Sequence, residues 1–227
     1  MNEEEKNILQ SWHTNADAWK TAIASGSIQS RVLVTNEAII ALLESLQVQH
    51  IWDLGCGEGW LCRALTEKGI HTFGTDAIEA LIVEASALGP QEFAVASYQQ
   101  IIDKSFTPPR LFDAVVCNFS LFENERVDQL LSALLNYITP QGKLVIQTLH
   151  PAFTSATPPY KEGWRKGSWD GFSAEFKDAH PWYFRTIGSW LELLRNNGFN
   201  MVHIKEPLHP ASLQPASIIL VCEKRND

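Results

Sequence analysis

His50-Ile51-Trp52-Asp53-Leu54-Gly55-Cys56-Gly57-Glu58-Gly59-Trp60 runs from a short apolar stretch into three glycines at alternate positions. The apolar residues read as a buried strand, the glycines as a tight turn, and Trp60 as the start of a helix. Glycine reaches positive φ without steric penalty and has no Cβ, so its backbone can bend sharply and approach a ligand closely. In an open α/β sheet, a strand, glycine turn and helix in that order mark the place of a nucleotide-like cofactor.

The same alternation continues downstream. A helix over about 60–68 stops at Gly69. Residues 70–75 read as a second strand, closed by Asp76. Ile78, Leu81, Ile82 and Ala85 mark a helix that ends at Gly89-Pro90. Residues 92–96 and 111–118 read as the third and fourth strands, 125–138 as a helix, Pro140-Gln141-Gly142 as a turn and 143–148 as a fifth strand. Nearly continuous apolar runs of this kind fit strands buried on both faces of a parallel sheet. Strands alternating with helices indicate a doubly wound sheet.

Upstream, residues 3–23 read as a helix anchored by Ile8, Trp12 and Trp19, and a second helix covers about 36–46 beyond Gly26. After the fifth strand the rhythm breaks. Residues 151–183 carry prolines, glycines and the aromatics Phe153, Tyr160, Trp164, Trp169, Phe172, Phe176, Trp182 and Tyr183. Linkers are rarely this aromatic, so the segment reads as an insertion. Ile187, Trp190, Leu191 and Leu194 then share one helix face, and strands over 200–205 and 217–223 follow. No helix separates these two strands, so they are expected to be antiparallel.

Composition excludes several classes. No apolar run approaches the roughly 18 residues needed to span a bilayer. The acidic start, Met1-Asn2-Glu3-Glu4-Glu5, lacks the layout of a signal peptide. Cys56, Cys62, Cys117 and Cys222 form no Cys-x-x-Cys pair, which argues against a zinc site or disulfide framework and suits a reducing cytoplasm. With a net charge of −8 the chain lacks the basic balance of a nucleic-acid binder. A cytoplasmic protein acting on a small molecule, with no metal, no membrane and no nucleic-acid partner, is expected.

Two cofactor classes compete for the glycine turn. A dinucleotide fingerprint is Gly-x-Gly-x-x-Gly, but here Trp60 stands at the third fingerprint position. Asp76, closing the second strand, suits ribose hydroxyls in either class. Asp53, two residues before the first glycine, would oppose a pyrophosphate at the helix N-terminus. A cationic cofactor would tolerate it.

Asp53-Leu54-Gly55-Cys56-Gly57-Glu58-Gly59, Gly74-Thr75-Asp76, residues 112–118 and Ile138-Thr139-Pro140-Gln141-Gly142-Lys143-Leu144-Val145-Ile146, in that order, resemble class I S-adenosylmethionine-dependent methyltransferases. The branch is similar to the ubiquinone-biosynthesis methyltransferases. The resemblance covers about residues 48–150 and the last helix and strand pair. It implies an α/β fold with a doubly wound Rossmann-like seven-stranded sheet, mostly parallel, with one antiparallel strand near the C-terminus. The chain is expected to be a single domain over 1–227: an N-terminal helical lid (1–47), a cofactor-binding core (48–150), the aromatic insertion (151–183) and the final helix and strand pair (184–227). The insertion could be a lid, a dimer surface or a small packed annex; a substrate cover is favoured, because closing a site excludes water and positions reactants. S-adenosyl-L-methionine is the implied cofactor and S-adenosyl-L-homocysteine the product. Asp53, Gly55 and Gly57, with Cys56 between them, would line the methionine part, and Asp76 would hold the ribose with Ile78 near the adenine. Ser97 and Tyr98 match the position that meets the adenine. Asn118 and Phe119 would lie beside the sulfonium, and Trp19 and Arg31 are lid candidates.

Other residues carry weaker signals. His150 ends the fifth strand, at the edge where ligands bind in this architecture. It could deprotonate a substrate hydroxyl, orient a substrate or bond the following loop. Tyr183, Arg185 and Trp164 are candidate substrate contacts, although Arg185 could equally join an internal salt bridge. His180 leans towards structure. Asp113 is expected to make a structural hydrogen bond, and Trp12 and Trp190 to pack in the core. The Asn-Pro-Pro-Tyr motif of methyltransferases acting on adenine bases is absent: Asn118-Phe119-Ser120-Leu121 stands in its place. The expected reaction is therefore methyl transfer to an oxygen or nitrogen of a small molecule, with a phenolic or carboxylic acceptor suggested by the aromatic insertion, Arg185 and His150. An NAD(P)-dependent oxidoreductase and a non-catalytic S-adenosylmethionine-binding module are the alternatives.

Overall fold

The computed structural model describes residues 2–154 and 159–225, without the side chains of residues 153 and 154. Residues 155–158 of the aromatic insertion, and the side chain of Phe153, thus lie outside the described residues. The elements are α1 (Glu3–Ala24), a π-helical turn (Arg31–Thr35), α2 (Asn36–Ser45), β1 (His50–Leu54), α3 (Trp60–Thr66), β2 (His71–Asp76), α4 (Glu79–Leu88), β3 (Glu92–Val95), α5 (Tyr98–Ile102), β4 (Phe112–Asn118), α6 (Glu125–Leu134), β5 (Ile138–Thr148), α7 (Pro151–Thr154), β6 (Gly163–Arg165), β7 (Trp182–Phe184), α8 (Ile187–Asn196), β8 (Phe199–Lys205) and β9 (Ile218–Lys224).

Seven strands form one sheet in the order β3-β2-β1-β4-β5-β9-β8. The pairings from β3 through β5 are parallel. β9 runs antiparallel to both of its neighbours, β5 and β8. The expected fold, with its one reversed strand and antiparallel final pair, is the observed one. The strand order reverses between β1 and β4, and ligands bind at such a switch point, beyond the carboxyl ends of the strands. Register brings the right residues there. Asp53 pairs with Gly74 and Leu54 with Thr75, so the glycine turn and Asp76 emerge side by side. Asp53 also pairs with Val116 on β4, so Asn118 and Phe119 leave the sheet next to them.

The alternation along β1 divides the core. Trp52 and Leu54 join Phe112, Val115, Leu130, Leu134, Trp190 and Phe199 on one face. Ile51 joins Ile39, Leu43, Leu61, Leu65 and Val145 on the other. Successive strand residues point to opposite faces, and here both faces are covered. The indole N–H of Trp52 donates to Thr75 Oγ1 at 2.9 Å, which satisfies its one buried polar group. Asp113 accepts from the Gln49 and His50 N–H groups at 3.1 and 3.0 Å, pinning β4 to the start of β1.

Three local expectations need correction. Pro140-Gln141-Gly142 is not a turn before the fifth strand but lies within β5. Phe112 pairs with Ile138 and Ala114 with Lys143, so the extra residues of β5 bulge out of the ladder. The helix expected over 125–138 ends at Leu134, and Ile138 already belongs to the sheet. Tyr98–Ile102 is a helix that hydrophobic periodicity is too short to reveal. Its signal is a capping box: Ser97 Oγ accepts from Gln100 N–H while Gln100 Oε1 accepts from Ser97 N–H.

The aromatic insertion contributes the two-stranded sheet β6-β7 and a segment folded onto α1. Trp169, Phe172 and Phe176 pack against Ala18, Trp19 and Ala22. Asn15 clasps Lys177 from both sides: its Nδ2 donates to the Lys177 carbonyl at 2.7 Å and its Oδ1 accepts from the Lys177 N–H at 2.8 Å. Ser11 Oγ donates to the Asp178 carbonyl at 2.7 Å. The first helix and the insertion are thereby joined over the carboxyl edge of the sheet. Among the described residues no helix is long and apolar enough to cross a membrane.

Candidate active site

The floor of the site is the turn after β1. Gly55, Gly57 and Gly59 have φ values of +80°, +57° and +80°, a region that residues with a Cβ enter only at a cost. The N–H groups of Gly55, Cys56, Gly57 and Gly59 are already taken. Gly55 and Cys56 both donate to the Thr75 carbonyl, at 2.8 and 3.0 Å, and Gly59 donates to Cys56 at 3.1 Å. Gly57 donates to Asp76 Oδ2 at 2.9 Å. A pyrophosphate needs such donors free, and here a carboxylate sits on one of them. Asp76 Oδ1 accepts from Ile78 N–H at 2.9 Å. Each Asp76 oxygen keeps a second lone pair for a ligand hydroxyl. Burial raises the Asp76 pKa, against the bonds from Ile78 and Gly57.

Above the floor lies a cavity of about 920 Å³, its open mouth included, and Asp76, Ile78, Ser97, Tyr98, Asn118 and Phe119 line it with Gly55, Cys56 and Gly57. Trp19 and Arg31 also line it. The Arg31 guanidinium sits between two indoles, 4.7 Å from the Trp60 ring centre and 5.3 Å from that of Trp19, a cation–π arrangement. Burial lowers its pKa to about 10, which leaves it charged at neutral pH. Arg31 Nη2 and Asn118 Oδ1 are buried without a hydrogen-bond partner among the described residues. Unmatched buried donors and acceptors are costly, and these two border the cavity.

Asp53 is not a wall of this cavity. It is buried beneath the turn, with Oδ2 accepting a weak bond from Cys62 Sγ at 3.7 Å and Oδ1 without a partner among the described residues. Burial pushes its pKa up to about 7; the Cys62 bond opposes the rise, and the charges of Asp76 and Glu58 add to it.

A second cavity, about 960 Å³ with its mouth, adjoins the first. Trp12, Trp19, Arg31 and Phe119 line both. Phe122, Trp169, Phe172, His180 and Trp182 add further rings to its wall. Phe119, at the junction, has φ +52°, unusual for a bulky residue. The strain is held by its own N–H, which donates to the Gln147 carbonyl at 2.8 Å. Glu5 of α1 and Glu123 flank Arg126, whose Nε lies 3.7 and 3.4 Å from their Oε2 atoms. This buried cluster ties the start of α1 to α6.

Several candidate residues fall elsewhere. The Tyr183 side chain points away from both cavities. Along β7 the side chains alternate, so Trp182 enters the second cavity while Tyr183 pairs with Trp164 on the opposite side, ring centres 5.4 Å apart. Trp164 accordingly lines neither cavity. Arg185 is a structural clamp: Nη1 donates to the Glu123 carbonyl at 2.9 Å, Nη2 to the Asn124 carbonyl at 3.0 Å, and its plane lies over Tyr183 and Trp190. His150 also lines neither cavity. Its Nε2 lies 2.7 Å from Glu206 Oε1 and its Nδ1 accepts from Ala152 N–H at 3.2 Å, at the head of α7. We expect His150→Ala to lower the melting temperature and leave cofactor affinity unchanged; an intact melting temperature with turnover cut a hundredfold would return His150 to the chemistry.

Some site residues were not anticipated. Trp12, expected in the core, lines both cavities. Ser120 Oγ donates to the Leu54 carbonyl at 2.8 Å, and its own carbonyl accepts from the Tyr98 hydroxyl at 3.0 Å, locking the ends of β1 and β4 to the start of α5.

The family described as "Methyltransferase domain" matches residues 35–204 of the chain. The ubiquinone biosynthesis O-methyltransferase of Rickettsia felis is 26% identical over 114 residues, which are 50% of this chain and 47% of that protein. The chain thus matches about half the length of this relative. An S-adenosylmethionine-dependent methyltransferase from Mesorhizobium loti superposes with a TM-score of 0.60 at 23% identity, covering 80% of this chain and 96% of its own. DhpI, solved as a complex with SAH, superposes with a TM-score of 0.62 at 16% identity over 98% of this chain and 97% of its own. At these identities the structural likeness is one of fold.

Proposed function

The chain belongs to the methyltransferase-domain family, and from that membership we propose that it transfers the methyl group of S-adenosylmethionine to an oxygen or nitrogen of a small-molecule acceptor. The observation that carries the proposal is the pair of confluent cavities, one floored by the glycine turn with Asp76 and Asn118 in its wall, the other rich in aromatic rings, sharing Trp12, Trp19, Arg31 and Phe119.

The residues of the first cavity suit this cofactor. Asp76 offers lone pairs to the ribose hydroxyls, Ile78 and Leu81 give an apolar wall for the adenine, and Ser97 and Tyr98 close its far side. Arg31 Nη2, buried and unmatched, suits the methionine carboxylate. The carboxylate of Asp53 below the turn favours the cofactor's positive charges. S-adenosylmethionine, when bound, supplies an activated methyl group, and the protein has mainly to align a nucleophile behind it and keep water away. Phe119, Trp12 and Trp19 stand where the two cavities meet and are placed to do both. The cover formed by α1 and the insertion excludes solvent. An NAD(P) oxidoreductase is disfavoured because the N–H groups of Gly55, Cys56 and Gly57 are engaged by Thr75 and Asp76.

Isothermal calorimetry tests the cofactor assignment. S-adenosylhomocysteine is expected to bind with micromolar affinity and NADH not to bind. The reverse order of affinities would sink the methyltransferase reading.

A further inference from the structure

The second cavity holds a titratable side chain to which the reading above gives no part. His180 is 9% exposed and lines that cavity. The Pro181 carbonyl oxygen lies 2.9 Å from its Nδ1. A carbonyl only accepts, so Nδ1 carries the proton and Nε2 carries the lone pair. Among the described residues Nε2 has no hydrogen-bond partner. The ring is wedged between aromatic neighbours, with centroids 5.3 Å from Trp12, 5.1 Å from Phe122 and 5.6 Å from Trp169. Trp12 belongs to both cavities, so the imidazole stands one side chain from the cofactor chamber.

The surroundings keep the imidazole neutral. Burial lowers its pKa, opposed by the bond to the Pro181 carbonyl. Arg31 is the one charged side chain among the residues lining this cavity. On the elements packed against His180, Lys177, Asp178 and His13 are exposed, and Glu123 is paired with Arg126. No carboxylate lines the chamber, so an ammonium group would enter it beside Arg31 without a counter-charge. A flat ring, by contrast, would find aromatic faces and edges on several sides.

We propose that Nε2 of His180 takes the proton of a hydroxyl group carried by a planar aromatic acceptor seated among Trp12, Phe122, Trp169 and Trp182. The inference rests on the S-adenosylmethionine reading. The hydroxyl oxygen forms a bond to the methyl carbon as the carbon–sulfur bond breaks. The electron pair of that bond stays on sulfur, whose positive charge is cancelled. The hydroxyl proton passes to Nε2, and the imidazolium later releases it to water. No oxidant or further reactant is required.

The test uses the full chain, methyl-labelled S-adenosylmethionine and a panel of one- and two-ring phenols with the matching arylamines. Label should enter the phenols and not the arylamines. His180→Asn retains an N–H for the Pro181 carbonyl but has no basic nitrogen, and His180→Phe retains the aromatic packing. General-base removal of this kind costs roughly 100-fold or more in turnover, so both variants should fall by at least that factor while binding S-adenosylhomocysteine as tightly as the wild type. At saturating S-adenosylmethionine, where the titration of Asp53 and Glu123 no longer limits binding, the acid limb of the wild-type turnover profile should disappear in His180→Asn. Wild-type turnover in either variant, preference for the arylamines, or no labelled phenol from a wild-type protein that binds S-adenosylhomocysteine would overturn the proposal. Failure of the wild type to bind S-adenosylhomocysteine would instead remove the cofactor reading beneath it.

Discussion

Gly55→Ala is expected to reduce S-adenosylhomocysteine binding below detection and to destabilise the fold by roughly 2–5 kcal/mol, the combined scale of a side chain forced into left-handed backbone and of overpacking. The φ of +80° at Gly55 is the first cause. The second is space: a Cβ there would collide with Ser120 Cβ and lie 3.2 Å from the Tyr98 hydroxyl. Ser120 has little freedom to retreat, because its hydroxyl donates to Leu54 and its carbonyl accepts from Tyr98. Displacing it moves the ends of β1 and β4 and the start of α5 together, which are the floor and two walls of the cofactor cavity. Thermal melts and calorimetry on the same preparation check both parts. Adding Ser120→Gly should restore part of the stability by removing the clash, while the backbone strain and the binding defect persist. Cofactor affinity unaltered in Gly55→Ala would show that the turn does not shape the site.

The sequence disclosed this turn because its chemistry is local. Alternate glycines, a preceding apolar strand and an aspartate after the next strand need no tertiary information to be recognised. The central strands β1, β4, β5 and β9 were legible because strands covered on both faces leave continuous apolar runs. What escaped depends on direction. His150 does end β5, but position at a strand end does not say where the ring turns, and it turns to Glu206. Tyr183 and Trp182 are adjacent aromatics on a short strand that periodicity did not reveal, and a step of one residue along a strand exchanges inside for outside. Trp12 sits on an amphipathic helix whose apolar face covers a cavity rather than the core, and a helical pattern reads the same over either. The rings around His180, those of Trp12, Phe122 and Trp169, come from three other stretches of the chain, so its surroundings could not be read from its neighbours in sequence. Pro140 and Gly142 carry turn chemistry into a β-bulge, where the same residue types serve.

Asp53 provides the second large effect, in the pH dependence of both stability and binding. Its folded-state pKa of about 7 stands above the unfolded value of 3.8. A raised carboxyl pKa means that the native state holds the proton more tightly than the unfolded chain. The stability it contributes is therefore fully present below about pH 4, declines as pH rises from there, and is gone once pH passes about 7. The shift corresponds to on the order of 4 kcal/mol across that window. Asp53→Asn, which cannot ionise, should accordingly make the ligand-free protein more stable than the wild type at pH 8, with the gap closing towards pH 4. Binding should show the opposite sense. A cofactor carrying an ammonium and a sulfonium favours the ionised carboxylate, so affinity follows the ionised fraction of Asp53. With a pKa near 7 that fraction rises about tenfold between pH 6 and pH 8, and S-adenosylmethionine affinity should rise by about the same factor. Glu123, also pushed up to about 7, borders the same cavity, so the wild-type profile alone does not isolate Asp53. The difference between wild type and Asp53→Asn does, because Glu123 titrates in both. A variant that keeps the full tenfold rise would assign the effect to Glu123; one that flattens it while melting higher at pH 8 places the charge that favours the cofactor under the glycine turn.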